Sequence, residues 1–355
     1  MANLQFTYLS ILSFKTTAYR AFSRALTIDS LIQLYLMINK MISEEYKMKK
    51  TGKIIIGLTL FIILIFTAIG SYAVIEFNSG KKQAQTSVNK TKNQNFSGDQ
   101  RTNMKEISIM IIGDDGREDD EDGGRSDTLM VAHYNRETKQ PKLISIMRDS
   151  YVEIPDHGLE KINAAYAYGG AELTKKVLNE SFDLPINYYI SLNFKHFIQL
   201  IDELYPNGVE IDAEKDINLD NVDIKQGFQV MDGNTLLQYA RFRMDEEGDF
   251  GRIRRQQQVM DALAKQAKNA VPITQLPKIV GQAMGYLDTN IPSETLLSLA
   301  KDFLSGKVKT LETLSVPVEN SWSFNDYTDA GSVLEIDEEQ NKQAIHTFLA
   351  KGEQK

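Results

Sequence analysis

The longest feature of the hydropathy pattern is an uncharged run over 54–75, IIIGLTLFIILIFTAIGSYAVI, about 22 residues. At ~1.5 Å rise per residue, a helix of that length crosses the roughly 30 Å hydrocarbon core of a bilayer. Lys47, Lys49, Lys50 and Lys53 crowd its N-terminal side. Basic flanks stay in the cytoplasm, so the pattern predicts a single-pass anchor with a cytoplasmic N-terminus and an extracellular chain after Glu76. A cleaved signal peptide is the alternative; the run is longer than a signal's apolar region and no clear small-x-small site follows it. Residues 1–53 form the cytoplasmic tail. Within 1–46 the apolar residues are scattered, with neither a spanning run nor a capped periodic helix. Met48, directly before KKTGK, is a candidate start; a segment lying on the inner leaflet is the competing reading.

Beyond the anchor, 78–101 is rich in Lys, Gln, Asn, Ser and Thr and poor in large apolar residues, so 76–104 reads as a polar, solvated stalk. The pattern changes at Ile107. ISIMII reads as a buried strand, followed by the charged loop GDDGREDDEDGGRSD, a strand over 129–134, a turn over 135–141 and a strand over 143–147. Helical periodicity follows at 163–168 and 171–180, then a strand at 188–192, a helix at 194–204 and a strand at 208–211. Residues 234–239 and 252–269 read as helices, 311–318 as a strand and 338–349 as the last helix. Residues 105–355 therefore form one domain of α/β class, with α+β as the near alternative: a central mixed sheet covered by helices in three layers.

Charge sharpens the picture. The chain carries −8 overall, but residues 1–53 hold eight Lys/Arg against three Asp/Glu, net +5, which leaves −13 on the remainder. An acidic domain with its arginines confined to a few spots lacks the basic footprint of a nucleic-acid binder, so no nucleic-acid partner is expected. With no Cys, no disulfide supports the fold, and a domain of this length supplies its own core.

Those few basic spots carry the chemistry. Arg241, Arg243, Arg252, Arg254 and Arg255 fall within about fifteen residues. Such a cluster repels itself unless an anion relieves it, and the planar guanidinium fork matches phosphate oxygens. If 241–243 is extended, Arg241 and Arg243 point to one face, while Arg252 and Gln256 form an i, i+4 pair on the following helix. For Arg254 and Arg255 a solvated helix face and a role at the anion remain equal. Asp115 at the end of one strand and Asp127 at the start of the next can meet at one hard cation. Mg²⁺ suits two carboxylates plus waters and phosphates, with Mn²⁺ as a substitute, whereas Ca²⁺ wants more oxygens. Arg125 lies two residues before Asp127, on the same side of an extended chain; Arg148 closes the third strand, with a salt bridge to Asp149 as its plainer reading. Residues 118–122 read better as a solvated turn than as ligands. The four His form no triad, and no activated nucleophile is visible.

GDD-x-R, GRSDT, SIMRD, KINAAYAYGG and RFRMDEEGDFGRIRRQQQ, in this order, closely resemble the LytR-CpsA-Psr family of Gram-positive envelope proteins. The resemblance is dense over 105–270 and loose elsewhere. It implies a membrane-anchored phosphotransferase that moves an anionic glycopolymer, wall teichoic acid or capsular polysaccharide, from undecaprenyl pyrophosphate to peptidoglycan through a phosphodiester. It implies Asp115 and Asp127 as Mg²⁺ ligands and Arg125, Arg148, Arg241, Arg243, Arg252 and Gln256 around the pyrophosphate. Lys161 and Asn163 match a motif near the lipid pyrophosphate, and the family buries the polyprenyl tail in an apolar tunnel. Met147, where the family usually has Pro, and Arg254, where it often has an acid, depart from the pattern without touching a proposed ligand. A polyprenyl-pyrophosphate hydrolase and an envelope regulator without direct DNA binding are the alternatives. Arg148 or Asp127 changed to Ala is expected to abolish transfer and leave the fold intact.

Overall fold

A computed structural model describes residues 50–85, 96–99, 105–114, 124–270 and 272–351. Two compact units divide the chain, Met1–Ile75 and Glu76–Lys355. The described part of the first belongs wholly to helix α1 (Lys50–Gln85), whose stretch Phe61–Ala84 has the length and apolarity to cross a membrane, at mean hydropathy 1.8.

In the second unit the segment expected to be a solvated stalk is packed in two places. Residues 76–85 continue as helix, and their backbone approaches α6 (Leu276–Tyr286) closely. A Cβ on Gly80 would lie 2.1 Å from the Lys278 carbonyl oxygen, and one on Gly281 2.2 Å from that of Phe77. Small residues at a four-residue spacing permit this contact. Further on, Phe96 packs against Tyr189 at 4.9 Å between ring centroids, and the Asp99 amide donates to the Ile186 carbonyl. The polarity of the segment hid these few anchoring positions.

The central sheet has the strand order β11-β6-β1-β2-β3-β12. Strands β1 (Glu106–Asp114), β2 (Ser126–Asn135) and β3 (Gln140–Ile146) are antiparallel neighbours, β6 (Tyr188–Asn193) is parallel to β1, and β12 (Glu312–Val316) is parallel to β3. Short β11 (Asp288–Thr289) closes one edge. The sheet is mixed, as expected. One face, carrying Met110, Ile112, Leu129, Val131, Ile144 and Ile146, is buried against α2 (Ala164–Phe182) and α8 (Glu338–Ala350). Alternate residues face the other way. There Thr128 and Ser145 accept hydrogen bonds from Gln256 and Gln257 of α5 (Gly248–Ala270), which completes the third layer.

Local chemistry sets several element ends. Asn193 caps α3 (Phe194–Leu204) by accepting the His196 amide at 2.8 Å, and Asp232 caps α4 (Gly233–Arg241) through Thr235 at 2.8 Å. Helix α2 breaks at Gly169 and Gly170, where Gly170 takes φ +62° and ψ −154°, so the two predicted helices 163–168 and 171–180 are one element with a kink. A second core joins α3, α4 and α5 to β7 (Val209–Ala213), β8 (Ile217–Leu219), β9 (Val222–Ile224) and β10 (Gly227–Met231). A second sheet, β13-β14-β4-β5, comprises β4 (Ser150–Ile154), β5 (Gly158–Lys161), β13 (Trp322–Thr328) and β14 (Gly331–Ile336). α7 (Ser293–Leu304) lies between β11 and β12 in sequence.

Candidate functional site

The site lies where β2, the end of β3 and the first turn of α5 converge, and Arg148 is its hub. Its Nη1 donates to Asp127 Oδ1 at 2.6 Å and its Nε to Asp249 Oδ2 at 3.0 Å, with Asp149 Oδ2 3.5 Å away. Sequence placed Asp127 and Arg148 at strand ends, and antiparallel β2–β3 pairing brings those ends together. Burial pulls the half-buried Arg148 guanidinium toward its neutral form, and the three carboxylates outweigh that and hold it charged more firmly than usual.

Arg252 joins the hub from α5. Its Nη2 donates to Asp249 Oδ2 at 3.2 Å, so one carboxylate bridges both arginines. The side chain is 5% exposed, and among the described residues its Nε is buried without a hydrogen-bond partner. Burial holds Arg252 below its ordinary pKa, nearby Arg148 adds to the depression, and Asp249 opposes it. Arg148 and Arg252 meet on Asp249, with Asp127 and Asp149 balancing their charge, and Arg252 Nε is the donor left over among the described residues.

Gln256, one turn on, donates to Thr128 Oγ1 at 2.9 Å, beside Asp127. It also lines an apolar cavity of about 140 Å³ between the sheet and the helices, walled by Ile111, Met130, Phe197, Leu237 and Val259. Arg241 lines the same cavity, its guanidinium 4.5 Å from the Phe194 ring centroid and hydrogen-bonded to Asp220 at 2.8 Å. The extended geometry expected for 241–243 is not formed, because Arg241 is the last residue of α4. Arg241 thus faces the cavity, whereas Arg243 is exposed. Arg125 is exposed just before β2.

Lys161 ends β5 with its Nζ 3.4 Å from Asp149 Oδ1. Asn163 is buried, its amide donating to the Arg148 carbonyl oxygen and its Oδ1 without a partner among the described residues. Asp115 lies outside the described residues, as does the acidic turn 118–122. Among the described residues no three His, Asp or Glu converge as a metal cage. Asp127, with one oxygen on Arg148, fits the sparse carboxylate set that Mg²⁺ accepts when phosphates and waters complete its shell.

Arg254 and Arg255, undecided from sequence, are structural. Arg255 is fully buried, with its Nη1 2.7 Å from Glu214 and 3.3 Å from Asp245 and its Nη2 on the Phe242 carbonyl. Arg254 pairs with Glu214 and Glu247. A Cβ on Gly251 would come within 3.1 Å of Arg255 Nη1, so this glycine makes room for the buried guanidinium.

Asp249 and Asp149 went unrecognised as site residues. The sequence pattern starts this helix at Arg252 and puts Asp249 in a loop, whereas α5 begins at Gly248 and sets Asp249 one turn before Arg252. Asp149 was visible only as a neighbour of Arg148. Its carboxyl is held above the ordinary range by burial first and by the adjoining Asp249 carboxyl, against the pull of Arg148 and Lys161.

The LytR_cpsA_psr family model matches residues 71–346. The chain is 41% identical over 281 residues to the regulatory protein MsrR of Staphylococcus aureus, covering 78% of this chain and 84% of that protein. It is 30% identical over 292 residues to the polyisoprenyl-teichoic acid–peptidoglycan teichoic acid transferase TagT of Bacillus subtilis, covering 77% and 87%. The B. subtilis TagV crystal structure superposes with a TM-score of 0.61 at 28% identity, over 71% of this chain and 98% of that one. TagT bound to LIIa-WTA gives 0.57 at 26%, over 70% and 91%.

Proposed function

The chain belongs to the LytR-CpsA-Psr family, and we propose that it is a phosphotransferase that moves an anionic wall glycopolymer from a polyprenyl-pyrophosphate carrier to peptidoglycan. The observation that carries this reading is the continuity of two chemistries. Gln256 touches the rim of the arginine cluster through Thr128 and also lines the apolar cavity, with Arg241 beside it. An amphiphile with a pyrophosphate head and a hydrocarbon tail matches that pairing, and the cavity takes the part of the polyprenyl tail nearest the head group. The donor is undecaprenyl pyrophosphate-linked glycan, with teichoic acid as the polymer and capsular polysaccharide as the variant; the names of TagT and of its complex with LIIa-WTA support the first. The apolar run 54–75 would anchor the chain and leave residues 76–355 at the outer face of the membrane, where such a lipid is found.

The reaction follows from charge. An acceptor hydroxyl oxygen attacks the phosphorus that bears the glycan and forms the new O–P bond. The bond from that phosphorus to the bridging oxygen breaks, and polyprenyl monophosphate leaves with the electron pair. Arg148 and Arg252 neutralise the phosphate oxygens against the incoming nucleophile, Gln256 orients the head group, and Arg125, Arg241 and Arg243 attend the remaining charge. One preorganised donor of this kind is worth about 3–4 kcal/mol in the transition state. The hydroxyl proton passes to a carboxylate, for which Asp149 is best suited because a raised pKa makes it the better acceptor. Asp115 and Asp127 would hold Mg²⁺, which supplies Lewis-acid stabilisation of the phosphate charge. Lys161 and Asn163 support the cluster from beneath through Asp149 and the Arg148 backbone.

The test uses the full-length protein in detergent with a synthetic polyprenyl-pyrophosphate glycan and a peptidoglycan oligosaccharide, with Mg²⁺ or with chelator. Glycan on the acceptor, together with stoichiometric polyprenyl phosphate, supports transfer. Lipid phosphate without acceptor product moves the function to hydrolysis. Lipid binding without turnover favours a regulatory role, in keeping with the name of MsrR.

A further inference from the structure

On the other side of the α5 first turn lies a cleft of about 910 Å³, bounded by residues 245–250, the β12 end and the β13–β14 hairpin. That volume is at the upper end of the roughly 300–1,000 Å³ range of ligand clefts. Its wall is aromatic. Phe250 and Trp322 lie 4.8 Å apart between ring centroids, and Phe324 meets Trp322 edge-on at 5.0 Å and 82°. Trp322 packs against the small core of Met147, Ile253 and Leu334, whereas Phe324 is 67% exposed. An aromatic ring left in water beside a fixed neighbour is a ready stacking surface.

The polar lining has one sign. Among the described residues no Lys or Arg lines the cleft, whose carboxylates include exposed Glu246 and Glu319. At the inner end the lining reaches Asp149 and Asp249, the same carboxylates that contact Arg148. The cleft therefore opens onto the phosphate cluster.

These features select a class of ligand. A polyanion such as the donor's own phosphate polymer is repelled by the carboxylates. A sugar ring suits both surfaces: its C–H face lies against the negative face of an aromatic ring, and its hydroxyls donate to carboxylate oxygens. We infer that this cleft is the acceptor subsite and binds a neutral glycan strand, stacked on Trp322 and Phe324, with one hydroxyl delivered past Asp149 and Asp249 to the phosphorus held by Arg148 and Arg252. The inference rests on the transferase reading above. In the transfer the hydroxyl gives its proton to a carboxylate as its oxygen bonds to phosphorus, and the carrier leaves as polyprenyl monophosphate.

Trp322 is the single Trp of the chain and makes the test direct. Full-length protein in detergent is titrated with a neutral N-acetylglucosamine tetramer, and Trp emission is followed. A saturable change is expected, and it disappears in W322F, which keeps a ring and loses the reporter. F324A removes an exposed ring and is expected to weaken the tetramer and raise the acceptor KM roughly three- to tenfold, the worth of one ring contact. E319Q is expected to weaken the tetramer less. Wild-type emission that ignores the tetramer, or F324A with an unaltered acceptor KM, overturns the inference. A lysine-bearing stem peptide that binds where the tetramer does not also overturns it, giving the cleft to a cationic peptide. Absence of lipid phosphate release in every sample sinks the transferase reading instead, and the emission titration then still decides whether the cleft takes glycan.

Discussion

Replacing Arg148 by Lys and by Ala separates the two things that this residue does. Arg148 uses Nη1 for Asp127 at 2.6 Å and Nε for Asp249 at 3.0 Å, with Asp149 at 3.5 Å. At an effective dielectric of ~20, each contact is worth about 5–6 kcal/mol of attraction, set against several kcal/mol for desolvating the guanidinium. R148A leaves three carboxylates without their shared cation and is expected to destabilise the fold by about 3–5 kcal/mol. At roughly 2–4 °C per kcal/mol for a domain of this size, Tm falls by about 10 °C. This revises the expectation from sequence that the alanine variant is structurally silent. R148K keeps the charge, but one ammonium cannot span Asp127 and Asp249 as the fork does. It forfeits a charge-assisted hydrogen bond, about 1.5–3 kcal/mol, and transfer falls about 10²–10³-fold. Circular-dichroism melting and polyprenyl phosphate release, measured on the same preparations, read both quantities. R148K with wild-type turnover, or R148A with an unchanged Tm, would refute the hub.

Three further changes probe other parts of the molecule. Because burial and Asp249 hold the Asp149 carboxyl above the ordinary range, the acidic limb of the rate profile should lie above that of an ordinary carboxylate. D149N should remove that limb in a pH series of initial rates, and an unmoved profile assigns the proton elsewhere. R255M should cost about 3–5 kcal/mol near neutral pH, since it uncovers Glu214 and Asp245 around a fully buried position. Burial pushes Glu214 up, but hydrogen bonds from Arg254 and Arg255 outweigh it and leave the carboxyl below its usual value. The stability it contributes is complete above the ordinary carboxylate range and is lost as pH falls through the depressed value. The Tm gap between wild type and R255M should therefore narrow in acid; a constant gap argues against the ion pairs. A240L adds three carbons to the lining of the apolar cavity. Burying them gains about 2 kcal/mol at ~0.8 per carbon, so Tm should hold or rise while the KM for polyprenyl donor increases. An unchanged donor KM places the tail elsewhere.

Sequence yielded the parts in which one signal dominates. ISIMII and the strands over 129–134 and 143–147 are buried on both faces, so continuous apolar runs marked them, and α3 begins and ends where its pattern does. The β13–β14 hairpin escaped because its residues are largely exposed and β13 has no clean alternation. Helix α6 escaped because its glycines, poor helix formers, are there for contact with α1, which no local pattern reveals. Asp127 and Arg148 were legible because charges abutting apolar strands are conspicuous. Arg241 and Arg243 were misjudged in geometry, because α4 runs on through Arg241 instead of stopping at Tyr239. Asp249 was missed for a similar boundary error, at the start of α5.

That boundary is also where the functional argument gathers. The first turn of α5 separates a cationic, lipid-compatible side from an acidic, aromatic one, and Asp249 stands on the partition, bonded to Arg148 and Arg252 while lining the cleft. Arg254 and Arg255, one turn further along α5, pin it to Glu214, Asp245 and Glu247. A transferase needs such a partition held rigidly. Its donor is a polyanion and its nucleophile is neutral, and the two must approach one phosphorus from opposite sides without the anion occupying the acceptor's place. A hydrolase needs no second cleft, because water reaches the phosphorus without guidance. The aromatic wall at Trp322 and Phe324 therefore weighs for transfer over hydrolysis, and the pinned α5 turn explains why five arginines crowd one short stretch: two hold the partition, and the others face charge.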